Sequence, residues 1–407
     1  MAGPGSLVLR RVRLADGRTT DVAITAGVIS AVCTDLPTAA EDTVLDLDGY
    51  VLLPAPVEPH AHLDKAFLAE RILNPQGHLL GAIEAMDANR DSLTAEDIAD
   101  RAERAARLLV ANGTTAIRSH ADIVTGHGLR SVEGLVEARR RLGDLVDLQI
   151  VALISWPVTG LTGADHRALA RDALAAGADV VGGCPHLDDD PIEAHEVLLE
   201  LAASGGHMVD LHTDETLDLA VLGLRDLARR VTTSGFPHRV AASHCVSLGM
   251  QPLEVQQAVA DEVAAAGIGV VTLPQTNLYL QGRDAASATP RGLTAIRPLL
   301  AAGVQVAGGA DNLQDPFNLV GRGDPLETAA LLVMAGHLLP DEAYDAVSTA
   351  ARDVLGLPPV RIEAGFPAEL LAVKAGGVRE AVAMAPADRV VIHRGRVVSR
   401  TRVVSDA

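Results

Sequence analysis

The stretch VLLPAPVEPHAH at residues 51–62 is an apolar, strand-like run that ends in two histidines, His60 and His62. Seven similar runs follow, and long segments rich in Ala, Leu, Arg and Glu separate them. These runs are GTTAIRSHADI (113–123), LQIVALISWP (148–157), ADVVGGCPHL (178–187), HMVDLHTDE (207–215), RVAASHC (239–245), GIGVVTLPQ (267–275) and VQVAGGAD (304–311). Apolar strands that alternate with amphipathic helices are typical of parallel β/α units covered on both faces. Eight units predict an α/β fold, a closed (β/α)8 TIM barrel, with an open doubly wound sheet as the alternative.

Both ends of the chain have a different pattern. Short alternating runs divided by turns occur from residue 6 to about residue 50, and similar runs return from about residue 360. They predict antiparallel strands, but neither end has enough strands for a stable sheet of its own. We therefore expect a small β-sandwich shared by residues 1–50 and 356–407, with residues 51–355 forming the barrel.

The composition argues against several classes of partner. The chain has 34 Lys and Arg against 53 Asp and Glu, a formal charge of -19 that repels phosphate backbones and anionic lipid headgroups. No apolar run approaches the roughly 18 residues of a membrane span, and the N-terminus has no signal-peptide pattern. We expect a cytoplasmic protein that binds neither nucleic acid nor membranes.

Polar side chains gather at the carboxyl ends of the predicted strands, where such a barrel carries its active site. His60 and His62 are two residues apart, so a strand directs both to one side. His212 ends the fifth run and Asp311 the eighth. Three imidazoles and a carboxylate suit Zn²⁺, Fe²⁺ or a similar divalent ion. A single H-x-H pair would more simply be capped or surface histidines, but several buried polar groups at strand ends need a common partner.

Other histidines are more ambiguous. His120 and Asp122 end the second run, and they either orient a metal ligand or form a structural pair. The remaining candidates, His127, His186 and His238, are interpreted as structural or peripheral.

Seven segments, which lie in order along nearly the whole chain, carry a family resemblance. They are VEPHAHLDK (57–65), GTTAIRSHAD (113–122), GGCPHLD (182–188), DLHTDE (210–215), ASHC (242–245), LYLQGR (278–283) and GADNLQDPF (309–317). The chain resembles the amidohydrolase superfamily and, within it, the cytosine deaminase-like branch. The resemblance implies the barrel with its terminal sandwich, a small-molecule heterocyclic substrate and assembly into a homo-oligomer. It also implies one metal ion held by His60, His62, His212 and Asp311.

The resemblance further implies catalytic roles. A bound divalent ion lowers the pKa of water from 15.7 towards roughly 7, and Asp311 could accept the released proton. Glu215 resembles the family's proton shuttle, which protonates a ring nitrogen and then the leaving amine, although a solvated loop carboxylate is the alternative. His244 resembles the histidine that stabilises the attacking hydroxide and the tetrahedral intermediate.

Lysine is scarce, since only Lys65 and Lys374 occur. Binuclear members of the superfamily bridge two metals with a lysine after the fourth strand, and the segment GGCPHLDDD has none, which favours a single metal. Lys65 either binds an anionic or carbonyl part of the substrate, or is a surface cation or a buried partner of Asp64 or Glu58.

Three positions depart from cytosine deaminases. Val158 stands in the segment where those enzymes have a glutamine that reads the pyrimidine edge, and Asn312 and Phe317 replace an aspartate and a tryptophan. An unpaired substrate edge costs about 1–3 kcal/mol, which disfavours cytosine. The H-L-D-K segment is similar to the N-isopropylammelide aminohydrolase-like triazine hydrolases.

These observations predict a metal-dependent hydrolytic deaminase that displaces an amino or alkylamino group from a small nitrogen heterocycle. A cyclic amide hydrolase and a noncatalytic scaffold with the same fold are the alternatives.

Overall fold

The computed structural model describes residues 5–404 and distributes their strands between two sheets. The strands of the described chain are β1 (Leu7–Arg13), β2 (Thr19–Thr25), β3 (Val28–Cys33), β4 (Thr43–Asp46), β5 (Val51–Pro54), β6 (Val57–Ala61), β7 (Ala116–Ile123), β8 (Asp147–Ile154), β9 (Val180–Gly183), β10 (Met208–Thr213), β11 (Val240–His244), β12 (Gly269–Thr272), β13 (Val306–Gly308), β14 (Leu370–Val373), β15 (Arg389–His393) and β16 (Arg396–Thr401).

Strands from both termini form one mixed sheet, as the sequence predicts. Its order is β16-β15-β14-β5-β1-β2-β3, and β4 pairs with β1. β14 runs antiparallel to β5, so that the N-terminal and C-terminal segments are joined at the centre of the sheet. Leu9, Ile24, Leu52 and Leu370 are buried in its apolar core.

The eight strands β6 to β13 form the predicted barrel, each parallel to the next. Backbone hydrogen bonds close it between the first strand and the end of the last: Asp311 N donates to His60 O at 3.0 Å, and His62 N donates to Asp311 O at 3.3 Å. The closed barrel is therefore confirmed, and the open doubly wound sheet is excluded.

The run at residues 51–62 differs from the prediction of a single barrel strand. It is divided into β5, which belongs to the mixed sheet, and β6, which opens the barrel. The division falls at Ala55 and Pro56: Ala55 N donates to Glu369 O beside β14 of the mixed sheet, whereas Pro56 O accepts from Thr115 N beside β7 of the barrel.

Helices cover the outside of the barrel. In the described residues they are α1 (Leu79–Asn89), α2 (Ala95–Ala111), α3 (Arg130–Leu142), α4 (Ala164–Ala175), α5 (Pro191–Gly205), α6 (Gly223–Ser234), α7 (Val246–Met250), α8 (Leu253–Ala265), α9 (Pro274–Leu280), α10 (Ile296–Ala301), α11 (Pro325–Met334), α12 (Pro340–Val347), α13 (Thr349–Val354) and α14 (Val378–Met384). α2 shows how the sequence specifies them: Thr94 caps its first turn by accepting from Asp97 N, and Ile98, Ala102 and Leu109 are buried along one face. Across residues 5–404, every helix is too short or too polar to cross a bilayer.

The chain leaves several barrel strands through left-handed backbone. Asp214, His244 and Asp311 have φ values of 51°, 67° and 65°. Such conformations are uncommon for residues other than glycine and are found where surrounding structure holds a side chain in a required direction. All three lie at the end of the barrel where polar residues were predicted to meet.

Candidate active site

The four predicted metal ligands converge at the carboxyl ends of β6, β10 and β13. His62 Nε2 lies 3.1 Å from His212 Nε2 and 3.4 Å from Asp311 Oδ1. His60 Nε2 lies 3.6 Å from the same carboxylate oxygen. Two ligand atoms that each stand about 2.1 Å from a shared tetrahedral ion are about 3.4 Å apart. These three distances, together with donor atoms of His60, His62 and His212 that all lie within 4.8 Å of one another, fit a single shared ion.

The chemistry of the four side chains fits an ion as well. His60 Nε2 and both carboxylate oxygens of Asp311 are buried without a hydrogen-bond partner in the described chain. Burial is the main cause that lowers the pKa of each of the three histidines well below its usual range, and neighbouring imidazoles or Lys65 lower it further. The three rings are therefore neutral, and each has a nitrogen lone pair that an ion can bind. Burial also raises the pKa of Asp311, and a cation is what would stabilise its ionised form. Buried polar atoms of this kind call for a partner.

Glu215 and His244 lie beside this group. Glu215 follows the left-handed residue Asp214, whose carboxylate accepts from the backbone N–H groups of Gly223 and Leu224 and so fixes the turn. Burial, together with the Asp311 carboxylate, raises the pKa of Glu215 well above its usual range. A carboxyl group that holds its proton near neutral pH can act as a general acid.

A hydrogen bond at Nδ1 holds the His244 ring in place. Its Nδ1 lies 3.1 Å from Asn277 Oδ1, while its Nε2 has no partner in the described chain. Burial lowers the pKa of His244 to about 3, so the ring is neutral. Asn277, which lies in α9, was not predicted from the sequence; no strand-end pattern marks it.

A cavity opens above these residues. His62, His212, Glu215, His244 and Asp311 line its floor. Its walls are largely apolar, and the residues that form them include Leu79, Ile83, Met86, Ile123, Leu153, Trp156, Leu187 and Phe317. The first three of these lie on one face of α1, which covers part of the cavity. Apolar walls with a few convergent polar groups are typical of a small-molecule site.

Lys65 lies in the cavity wall and is also a buried partner of acidic residues. Its Nζ donates to Asp122 Oδ1 at 2.5 Å, lies 3.1 Å from His62 Nδ1 and is 3.5 Å from Asp64. Arg90 donates to the other oxygen of Asp122 at 2.9 Å and also lines the cavity. Asp122 therefore pairs with two cations and not with His120. Arg90 was missed because it lies in a turn after α1, far from any strand end.

His120 packs directly against a predicted ligand. Its ring centroid lies 3.9 Å from that of His60, and its Nε2 is 3.6 Å from Asp210 Oδ1. His186 Nδ1 donates to the backbone oxygen of His212 at 3.2 Å.

The three predicted substrate-binding positions differ in their placement. Asn312 and Phe317 line the cavity, and Asn312 donates to Asp315 Oδ2 at 2.7 Å within the turn that joins them. Val158 is not part of the described cavity wall. It is buried in the core, where its N–H donates to Asp188 at 2.6 Å, and Trp156 faces the cavity instead. The chain turns away after β8 ends at Ile154, which accounts for the difference.

The chain is similar to known proteins in both sequence and structure. Residues 68–401 match the Amidohydrolase family. Pterin deaminase from Rhizobium rhizogenes is 35% identical over 390 residues, which cover 94% of this chain and 88% of that protein. The structure of 5-methylcytosine deaminase from Klebsiella pneumoniae liganded with phosphonocytosine aligns with a TM-score of 0.88 and 28% identity over 98% of this chain and 100% of that one. N-isopropylammelide isopropylaminohydrolase from Burkholderia multivorans aligns with a TM-score of 0.85 and 29% identity over 97% and 98% of the two chains.

Proposed function

Because this chain belongs to the amidohydrolase family, we propose that it is a metal-dependent aminohydrolase that removes an amino or alkylamino group from a small nitrogen heterocycle. The observation that carries the proposal is the convergence of four donor side chains: His62 Nε2 lies 3.1 Å from His212 Nε2 and 3.4 Å from Asp311 Oδ1, and His60 Nε2 lies 3.6 Å from Asp311 Oδ1. Those four side chains would hold the ion. A divalent cation, Zn²⁺ or Fe²⁺, supplies Lewis acidity there and lowers the pKa of water so that hydroxide forms at neutral pH.

The protein's own groups move the protons. Neither carboxylate oxygen of Asp311 has a hydrogen-bond partner in the described chain, so Asp311 can accept a proton from the attacking water. Glu215, whose pKa burial raises, donates its proton to a ring nitrogen of the substrate, takes up the hydroxyl proton of the tetrahedral centre and passes that proton to the leaving amine. The proton that Asp311 accepted from the water then restores the Glu215 carboxyl group. The neutral His244 ring, whose Nδ1–H donates to Asn277 Oδ1, keeps a lone pair on Nε2 that can accept a hydrogen bond from the attacking water.

The cavity supports a planar, weakly polar substrate. Trp156, Leu187 and Phe317 provide apolar surface for a flat ring. The relatives are named for pterin, 5-methylcytosine and N-isopropylammelide. We place aminopterins first, because the pterin deaminase is the more similar in sequence.

The proposal is tested by release of ammonia or amine from a panel of aminopterins, aminotriazines, aminopyrimidines and creatinine analogues. Protein loaded with Zn²⁺ or Fe²⁺ is compared with chelated protein, and bound metal is quantified in both. We expect release only from the loaded protein, with about one ion per chain. A loaded protein that releases nothing from any member of the panel contradicts the proposal.

A further inference from the structure

A chain of hydrogen bonds leads from His60 into the interior of the barrel. His60 Nδ1 lies 2.9 Å from Ser243 Oγ, and Ser243 Oγ donates to Asp210 Oδ1 at 3.1 Å. The other oxygen of Asp210 accepts from Arg118 Nη1 at 2.9 Å. All four side chains are almost completely buried, so water does not compete for these bonds.

The direction of each bond can be worked out from the chemistry of the groups. The guanidinium of Arg118 has donors only, so the carboxylate of Asp210 accepts from it. Ser243 has a single hydroxyl proton, and the bond to Asp210 uses it. The oxygen of Ser243 must therefore accept from His60 Nδ1, which carries the ring proton.

The proton on Nδ1 determines the state of the other ring nitrogen of His60, Nε2. A neutral imidazole carries one N–H, so a proton on Nδ1 leaves a lone pair on Nε2. Nε2 is the atom that lies 3.6 Å from Asp311 Oδ1 and has no hydrogen-bond partner in the described chain. The chain of bonds thus selects the one tautomer of His60 that can bind a cation at this point.

The strand geometry explains why these residues meet. Asp210 lies two residues before His212 on β10, so both side chains point to the same side of that strand. Ser243 on β11 is the register partner of His212. Asp210 therefore lies one layer deeper than the predicted ligands, with Ser243 between it and His60.

We infer that Ser243 and Asp210 are positioning residues, which hold His60 as its Nδ1–H tautomer and direct Nε2 toward the divalent cation. This inference rests on the proposed function, because it concerns the same site. Groups that accept from the second nitrogen of a metal-binding histidine contribute about 10- to 100-fold to metal affinity. A purely structural brace between β7, β10 and β11 would instead affect folding and leave metal affinity unchanged.

Ser243→Ala is the variant that separates these two roles. It removes the acceptor for His60 Nδ1 while leaving the pair of Asp210 with Arg118 intact. Ser131→Ala is the matched control, since Ser131 is buried and its hydroxyl lies 3.2 Å from His127 Nε2, away from the cavity wall. Ser243→Thr keeps a hydroxyl at the same position.

The measurement is the dissociation constant of Co²⁺, followed by its visible absorption in metal-free protein. We expect Ser243→Ala to bind 10- to 100-fold more weakly, and Ser131→Ala and Ser243→Thr to stay within about threefold of the original protein. Urea unfolding of the metal-free variants shows whether each is folded. If Ser243→Ala does not fold, the ring ¹⁵N shifts of His60 in the zinc-loaded original protein decide, and an Nδ1–H protected from exchange is expected.

The outcomes separate the two proposals. If the original protein binds Co²⁺ and folded Ser243→Ala binds it equally well, the role of Ser243 is overturned while the proposed function stands. An Nδ1 of His60 that lacks a proton in the loaded protein also overturns it. If the original protein binds no Co²⁺, Zn²⁺ or Fe²⁺, both proposals fail.

Discussion

Glu215 Oε1 lies 3.5 Å from His244 Nδ1, so the predicted proton shuttle and the histidine predicted to stabilise the attacking hydroxide stand side by side at the floor of the cavity. They come from the ends of neighbouring parallel strands, β10 and β11. The left-handed residues Asp214 and His244 turn the backbone at that point. A carboxyl group with a raised pKa and an imidazole with a lowered pKa are thereby held next to the same predicted ion.

Glu215→Gln is expected to lower turnover by about 10²- to 10⁴-fold, because the amide keeps the size of the side chain but cannot donate a carboxyl proton. Metal content should stay unchanged, since Glu215 is not among the four predicted ligands. The measurement is ammonia release, with bound metal determined on the same samples. Glu254→Gln, an exposed position in α8, is the control and should retain full activity. Equal turnover in the two variants would show that Glu215 is not the proton donor.

Removal of the metal is expected to lower stability as well as activity. A ligand that binds only the folded state stabilises it by about 4 kcal/mol at a thousandfold excess over its dissociation constant. Thermal unfolding with Zn²⁺ should therefore occur at a higher temperature than after chelation. Mg²⁺ should have little effect, because it prefers oxygen ligands to imidazole. The same shift with Mg²⁺, or a full Zn²⁺ shift in His212→Asn, would argue against the proposed ligand set.

The convergence of the four proposed ligands could be predicted from the sequence because two simple rules govern it. Alternation along a strand places His60 and His62 on one side, and the parallel barrel gathers the carboxyl ends of its strands at one rim. His212 and Asp311 follow from the same rules. These relations depend on local periodicity and on the fold class, both of which the sequence carries.

Contacts that depend on loop paths could not be predicted in this way. The pairing of Arg90 with Asp122 requires knowing where the segment after α1 crosses the rim, and that path is set by packing over the whole cavity. The family resemblance predicts that Val158 contacts the substrate, but the turn after β8 presents Trp156 to the cavity instead. Asp210 did have a signal, since it lies two residues before His212 on the same strand.

His186 is expected to make stability depend on pH. Burial lowers its pKa to about 4, against a usual value near 6.5, and its Nδ1–H donates to His212 O. The unfolded chain therefore binds more protons between these two values, and stability is lost as the pH falls from about 6.5 towards 4.

The pH effect is measured by urea unfolding of metal-free protein at pH 8 and pH 5. His186 should contribute a loss of about 2 kcal/mol at pH 5, and His186→Asn should show a correspondingly smaller difference between the two conditions. If the variant and the original protein lose the same free energy of unfolding, His186 does not titrate as stated.

Lys65 supports a prediction that separates its structural contacts from any contact with substrate. Lys65→Met removes the ammonium that lies 2.5 Å from Asp122 and 3.5 Å from Asp64. Breaking a buried ion pair leaves an uncompensated charge, and the cost is about 3 kcal/mol, the lower end of the usual range, because Arg90 still pairs with Asp122. Urea unfolding of metal-free protein measures this loss. Lys374→Met is the control, since Lys374 is exposed and its replacement should change stability by less than about 0.5 kcal/mol.

The double variant Lys65→Met with Asp122→Asn completes the test of Lys65. Neutralising Asp122 removes the excess negative charge that the loss of Lys65 leaves on Asp64 and Asp122, so the double variant should recover part of the lost stability. Any contact of Lys65 with substrate would appear separately, as a rise in KM that the Asp122 change does not reverse. If Lys65→Met unfolds at the same urea concentration as the original protein, the ion pair with Asp122 does not stabilise the fold.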